Sequence, residues 1–526
     1  MRILLYVPDN QVTRNFIPQL WPFLIQRLTP PEHQVTILDG NAEHHDAEEL
    51  VDYVVRNRID LVGMGFMTRM AQRAYQMAAA LRRSTKARIV MGGPHVTAVP
   101  DEPLGLTGHP QYADSVVVGE ADQIWPQFLA DAERGPLQPF YNRGSNGDQA
   151  SKPPLENYAV VDWEQVDLSR FNLMRFVPQA VKKLLRQLSF KYDNVYALPV
   201  ESGRGCPYGC EFCTVTGFFG TDMRFRSNQN VIDELLRIKA TAKKNNGLVM
   251  VFFVDDNFAI NRARTKSLLR DMIAQDACVP FTAQISVNLL RDEELVQLLA
   301  LAGACWIFMG LESVDRESLK VARKDFNRPA DYQGALDLLA KYNLYGITSF
   351  IYGMEADHPG VAEKTIHEIE SWPPGLPVFG LLTPYPDTPL YDRLRDAGRL
   401  TRPEHWLDFQ AFRMAFTPPG ITAAEAEEEI RLSWGRCYGP EAFRRAQRWL
   451  VEHEKSFGYQ LMHFISRMLF RGIYFPQMKA GAWLKLLAQN RRTVGSLIHS
   501  GIRERWRKRN GRFDSPPQAI PDESSL

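Results

Sequence analysis

The stretch Glu201-Ser-Gly-Arg-Gly-Cys-Pro-Tyr-Gly-Cys-Glu-Phe-Cys213 decides how the rest of the chain is read. It sets Cys206, Cys210 and Cys213 in one tight loop at CxxxCxxC spacing. Thiolates are soft ligands that suit iron–sulfur clusters or zinc. Three of them hold three corners of a cubane [4Fe-4S] cluster and leave its fourth iron open to a substrate or cofactor. That openness marks a reactive centre rather than an electron relay. Zinc would need a fourth ligand, and no His or Cys follows within finger distance. A disulfide does not suit a chain whose composition reads as cytosolic.

The composition agrees with a reducing setting. The 526 residues are 45% hydrophobic and 23% charged, enough for two or three packed domains and unlike a disordered chain. A net charge of +1 gives no global reason to expect a nucleic-acid partner. Six cysteines are too few for a secreted framework, and Cys278, Cys305 and Cys437 read as ordinary buried thiols. The opening MRILLYVPDN reads as a first strand and not as a secretory signal, and no apolar run reaches the ~20 residues of a spanning helix. The expected location is cytoplasmic.

Residues 1–140 alternate short apolar runs with helical stretches. Strands are predicted at Ile3–Val7, Val35–Leu38, Leu61–Met64, Ile89–Met91 and Ser115–Val118, with helices such as Ala47–Asn57 and Ala71–Arg83 between them. This predicts an α/β, Rossmann-like, doubly wound parallel sheet, whose ligands bind beyond the carboxyl ends of the strands. The loops there carry Asp9, Gly63-Met64, Gly92-Gly93-Pro94-His95 and Gly119-Glu120. No GxGxxG is present, which argues against a dinucleotide.

Residues 141–194 read as a linker or bridging segment with a short basic helix at Val177–Leu188. A second alternating series fills 195–395, with six strands predicted near Tyr196–Val200, Val249–Val254, Phe281–Val287, Trp306–Gly310, Thr348–Tyr352 and Val378–Leu382. Six strands form a partial (β/α)6 barrel with a lateral mouth, and function belongs at the carboxyl ends of the strands. The cysteine loop follows the first of them.

The CxxxCxxC loop, with Phe212 before its last cysteine, resembles the signature of radical S-adenosylmethionine (radical SAM) enzymes. In that family the open iron chelates SAM, and reductive cleavage yields a 5′-deoxyadenosyl radical. The resemblance implies that Cys206, Cys210 and Cys213 hold the cluster. It also implies that Phe212, Asp256, Gln284, Ser286, Glu312, Ile351 and Gly353 contact SAM, from the loop, the acidic turn Phe253–Phe258, the third strand, the G-x-E-S strand end and the late strand Phe350–Met354. Leu382-Thr-Pro-Tyr-Pro-Asp-Thr-Pro389 is similar to the family's T-P-x-P-G-T-P, with Asp387 in place of glycine.

The GGPH and GEAD turns upstream resemble the cobalamin-binding domain of B12-dependent radical SAM proteins. That resemblance implies that Asp9, Gly63, Met64, Gly92, Gly93, Pro94, His95, Gly119 and Glu120 line a corrin site. The DxHxxG motif is absent, so no protein histidine is expected on cobalt; His44 and His45 read as solvated loop residues.

After about residue 395 helices replace strands, and a helical region is expected over 396–512 with a disordered tail over 513–526. Helices are predicted at Ala423–Trp434, Pro440–His453 and Ser456–Phe475. One further helix would place Trp483, Leu487, Val494, Ile498, Ile502 and Trp506 near one face, with Arg and Lys on the other and at its end. Such a pattern either caps the barrel or makes peripheral contact at a membrane.

The implied activity is a cobalamin-dependent radical SAM methyltransferase acting on an unactivated carbon of a small-molecule or lipid-like substrate. Radical oxidation or cyclisation without methyl transfer, as in the anaerobic porphyrin-ring cyclases, is the alternative reaction. A ferredoxin, or a flavodoxin with its reductase, would supply the electron. No catalytic acid or base is assigned.

Overall fold

A computed structural model describes residues 1–9, 17–147, 149–156, 158–177, 192–400, 412–474 and 480–509, with 179, 182, 183, 186 and 409. The expected tail 513–526 and most of the expected basic helix at 177–188 lie outside the described residues. The chain divides into two compact units. The first comprises Met1–Val177 and Tyr192–Cys437, and the second comprises Pro178–Lys191 and Tyr438–Leu526.

The first unit opens with strands β1 (Arg2–Val7), β2 (Gln34–Asp39), β3 (Leu61–Gly65), β4 (Arg88–Gly92), β5 (Ser115–Val117) and β6 (Phe140–Tyr141). They form one wholly parallel sheet in the order β2-β1-β3-β4-β5-β6. Alternation sends Leu4, Tyr6, Val62, Met64, Ile89 and Met91 to one core. Ile3, Leu5, Leu61, Val90 and Val117 enter the other. Helices α2 (Ala47–Arg56) and α3 (Ala71–Ser84) cover the first face; α1 (Leu20–Leu28) and α5 (Trp125–Arg134) cover the second. Both faces are therefore dry, which is why these strands read as unbroken apolar runs. Asp46 and Glu49 form a reciprocal capping box that starts α2 where the apolar periodicity begins. A short helix, α4 (Pro94–Ala98), follows β4.

The second sheet contains β7 (Asn194–Val200), β10 (Gly247–Phe253), β11 (Phe281–Gln284), β12 (Ala304–Glu312), β13 (Tyr345–Tyr352) and β14 (Leu376–Leu381). These pair in parallel as sequential neighbours and make the expected six-stranded open barrel wall. Between β7 and β10 a small antiparallel hairpin joins β8 (Gly203–Arg204) to β9 (Arg224–Phe225). Val249, Val251 and Phe253 are buried, whereas Met250 and Phe252 are half-buried on the opposite face. The same alternation leaves Phe308, Gly310, Ser349 and Ile351 half-buried on β12 and β13.

The helix Ala423–Cys437 also belongs to this unit: Trp434 Nε1 donates to the Phe379 carbonyl at 3.1 Å, and the Ser433 and Tyr352 hydroxyls lie 2.8 Å apart. In the second unit, helices run over Pro440–Glu452, Phe457–Tyr474, Ala480–Gln489 and Arg491–Arg509. The single final helix expected from the sequence is two helices. Asn490 breaks it, 2% exposed, with its backbone N–H shared between the Leu486 and Leu487 carbonyls and its side chain bonded to Leu486.

Candidate active site

The cysteine loop leaves β7 through a set of buried polar anchors. The Ser202 N–H and hydroxyl donate to the two oxygens of Asp255 at 2.9 and 2.6 Å, and Arg264 holds Ser202 from the far side. At Gly205 the chain takes φ +100°, and a Cβ there would stand 2.6 Å from the Asp222 carbonyl. Only glycine fits that turn, and it brings Cys206 N–H to the Gly220 carbonyl at 3.2 Å. Downstream, Tyr208 stacks on Phe326 with centroids 3.9 Å apart, the Glu211 N–H bonds the Ala322 carbonyl, and the Glu211 carboxylate grips Arg393. The loop is thus fixed to the segments that follow β12 and β14.

None of the three cysteines forms a disulfide. Burial pushes all three thiols up, Cys213 to about 11, and Cys206 and Cys210 add repulsion at Cys213 as near neighbours. A cationic metal group reverses that penalty by holding the thiolates. Among the described residues no group of three or more His, Cys, Asp or Glu side chains converges tightly enough to hold one ion. Three sulfurs set on separate corners of a cluster have no need to meet at a single point, and the donor set suits iron–sulfur ligation.

Glu312, Lys324 and Asp256 lie within electrostatic reach of the loop's thiols. Glu312, at the end of β12, is 5% exposed with φ +65°, a conformation that costs a non-glycine residue about 1–3 kcal/mol. One of its oxygens takes the Lys324 ammonium at 2.6 Å, and the other, Oε2, is buried with no partner. An orphaned carboxylate oxygen in a strained turn fits a site that accepts a ligand's donor. Lys324 also stands 5.9 Å from the Phe212 ring centroid. Burial works against its charge, and Glu312 and the thiol at Cys210 restore it.

Asp256 accepts from the Gly205 N–H, and burial, Asp255 and Glu201 push its carboxyl up to about 7. Gln284 donates to the Asp256 carbonyl at 2.9 Å. Ser286 lies two residues beyond β11, which ends at Gln284, and its hydroxyl accepts from Asn257 at 2.8 Å. Ile351 faces the barrel interior. The Gly353 and Met354 N–H groups both donate to Asp357 Oδ2, at 2.9 and 3.0 Å.

A cavity of about 520 Å3 opens beyond the carboxyl ends of β3, β4 and β5. Gly63, Met64, Gly92, Gly93, Pro94, Gly119 and Glu120 line it, together with Trp21, Leu24, Met67, Phe219 and Phe252. At Gly93, φ is +92° and a Cβ would stand 2.8 Å from the Phe66 N, so only glycine lets this loop pack on the Phe66 backbone beside the cavity. A mostly apolar hollow floored by glycine fits a macrocycle.

Asp9 and His95 are not on this lining. Asp9 turns to Arg73 at 3.0 Å. His95, 1% exposed, bonds Tyr75 through Nε2 at 3.2 Å and Thr68 through Nδ1 at 3.1 Å. Both ring nitrogens are committed to the fold. Of the pair expected to be solvated, His44 is exposed but His45 is half-buried, and its carbonyl accepts from Arg73.

Glu120 reaches the lining with its carboxylate already engaged. Arg204 of the cysteine loop meets it at 2.5 Å, Arg224 adds bonds at 2.6 and 3.1 Å, and Arg204 also binds Asp122 and Glu201. Sequence reading missed Arg204, Arg224, Lys324 and Asn257. Arg204 and Asn257 stood inside motifs already singled out; the other two pair across long separations and carry no local signal.

Residues 200–371 match the family model of the radical SAM superfamily, and residues 12–129 match that of the B12 binding domain. The chain is 26% identical over 396 residues to the bacteriochlorophyllide d C-8(2)-methyltransferase of Chlorobaculum tepidum, covering 74% of this chain and 79% of that protein. It is 25% identical over 448 residues to the hopanoid C-2 methylase of Rhodopseudomonas palustris, covering 83% and 74%. Among solved structures, the cobalamin-dependent S-adenosylmethionine radical enzyme OxsB, with aqua-cobalamin and S-adenosylmethionine bound, superposes with a TM-score of 0.62 at 12% identity. That match covers 98% of this chain and 82% of OxsB, and it speaks to fold alone. With a B12-binding domain joined to a radical SAM domain, the chain belongs to the cobalamin-dependent radical SAM enzymes, whose cofactors are a [4Fe-4S] cluster, S-adenosylmethionine and cobalamin.

Proposed function

We propose that the protein is a methyltransferase that methylates an unactivated carbon of a small-molecule or lipid-like substrate. The observation that carries this reading is the placement of two ligand sites against one another. The glycine-floored cavity of the first sheet is walled on its far side by Pro199, Phe252 and Arg204 of the barrel. An sp3 carbon offers no electron pair to an ordinary methyl donor; when bound, the cluster with SAM supplies a hydrogen-abstracting radical and cobalamin supplies the methyl group.

The chain's own residues bind, orient and exclude water. Cys206, Cys210 and Cys213 hold the cluster. Phe212, Glu312 and Ile351 would hold SAM, and Lys324 fixes one Glu312 oxygen while Oε2 is left for a ligand's donor. Asp255 positions Ser202 at the root of the cysteine loop, and Asp357 does the same for the Gly353 turn. Met250, Phe252, Phe308 and Ile351 give the barrel wall an apolar inner face, which suits a hydrocarbon-rich substrate.

A low-potential one-electron donor, a ferredoxin or flavodoxin, completes the reaction. No helix among the described residues is long and apolar enough to cross a membrane. The test is anaerobic turnover with methyl-labelled SAM on candidate substrates. Formation of 5′-deoxyadenosine together with a product that gains the labelled methyl supports the proposal. A product that loses hydrogen without gaining carbon would assign cyclisation or oxidation instead.

A further inference from the structure

We infer that the helix Arg491–Arg509 docks on an anionic phospholipid surface. Three large apolar side chains stand in solvent on successive turns of it: Ile498 is 38% exposed, Ile502 63% and Trp506 61%. Spacing of four residues puts them in one stripe. Single exposed apolar residues, such as Val55, Leu106 and Val321 elsewhere in the chain, need no explanation; an aligned stripe ending in tryptophan does.

The opposite face of this helix is already used. Thr493, Leu497 and Gly501 are buried, with Gly501 so near the Phe457 ring that a Cβ would stand 3.2 Å from it. The stripe is therefore not a core face awaiting its own unit.

Charge identifies the occupant. Arg491, Arg492, His499, Arg503 and Arg505 are all exposed. At 100° per residue Arg505 falls on one side of the stripe, and Arg492, His499 and Arg503 fall on the other. Glu504 is the only acidic residue between 491 and 509. It is turned away from the stripe, because its Oε2 accepts from the Phe457 N–H at 2.7 Å and caps the neighbouring helix. An apolar line with an indole, edged by guanidinium groups on a helix whose one carboxylate is bonded elsewhere, matches a bilayer interface. Carbon enters the acyl boundary there, while arginine meets phosphate. This inference stands apart from the proposed reaction, and its test reads binding rather than turnover.

The full chain is floated with vesicles of phosphatidylcholine alone and of phosphatidylcholine mixed with phosphatidylglycerol. The expected result is co-flotation with the mixed vesicles, weaker recovery with the neutral ones, and release by salt. Replacing Ile502 and Trp506 together by Asp should lower the partition coefficient on the order of a hundredfold, given what burial of two such side chains is worth. The melting transition should not move, since both side chains lie in solvent. Arg503→Glu with Arg505→Glu should abolish the preference for anionic lipid. A chain that stays unbound with anionic vesicles overturns the inference, as does a double-Asp variant that floats as well as the parent. A dimer dispersed by the double-Asp variant would assign the face to a second copy, and this also overturns it.

Discussion

In the sheet β1–β6 the loops beyond the strand ends offer backbone and carbon: Gly63, Gly92, Gly93 and Gly119 around an apolar hollow, with the nearby histidine turned into the core. In the sheet β7–β14 the corresponding loops offer buried charge and sulfur: three thiols, the Glu312–Lys324 pair, Asp256, and Asp255 bound to Ser202. Both are six-stranded parallel sheets with their candidate sites at the carboxyl edge. They differ because a large macrocycle is held by shape over a wide area, whereas a cluster and a zwitterionic cofactor need donors and charges at fixed points. The two edges are joined by one electrostatic joint, Glu120 between Arg204 and Arg224.

The largest expected effect lies on the charged side. Cys213→Ala should reduce cluster content and SAM cleavage to background while leaving cobalamin absorbance in the purified protein. If cleavage persists, the sulfur loop is not the reactive edge. Next comes the joint. Glu120→Ala leaves the buried Arg204 and the half-buried Arg224 without their shared partner, a change expected to cost about 4 kcal/mol in denaturant unfolding. A cost under about 1 kcal/mol would show that Asp122 and Glu201 suffice for Arg204.

On the shape side, Gly93→Ala forces a side chain into φ +92° and against Phe66, at about 3 kcal/mol. It should weaken cobalamin retention while SAM cleavage in the absence of substrate survives. Equal loss of both would mean that the two edges do not act separately.

The smallest effect is a pH slope. Burial raises the Asp357 carboxyl from 3.8 to about 6 in the folded chain. The native state therefore keeps a proton that the unfolded chain has released, and stability falls as pH rises through that interval, by about 1.4 kcal/mol per pH unit or about 3 kcal/mol across it. Asp357→Asn should flatten this part of the stability profile, measured by denaturant titration from pH 4 to 7. An unchanged slope would place the titration elsewhere.

How much of this could be read from the sequence follows the same division. The apolar strands were legible because both faces of a parallel strand are buried, and β1, β3 and β4 fall within a residue or two of their expected bounds. The two-residue β6 was not, since it carries no periodicity. The glycine loops of the cavity were readable as motifs, yet His95 looked like a pocket residue only because it follows them in sequence. Its commitment to Tyr75 and Thr68 is a fact of packing. Ser286 lies past the point where the chain leaves the sheet, so alternation says nothing of where it faces. Lys324 and Arg224 were invisible because a charge pair across a fold has no sequence period. Asn490 reads as an ordinary helical residue until its side chain turns back onto Leu486.

The most direct test of the central claim is metal and cofactor analysis of protein purified without oxygen, followed by electron paramagnetic resonance of the reduced sample with and without SAM. A cobalamin-dependent radical SAM enzyme should hold about four iron atoms and one cobalt per chain, and its reduced-cluster signal should shift when SAM is added. Zinc in place of iron, or a cluster signal indifferent to SAM, would contradict it.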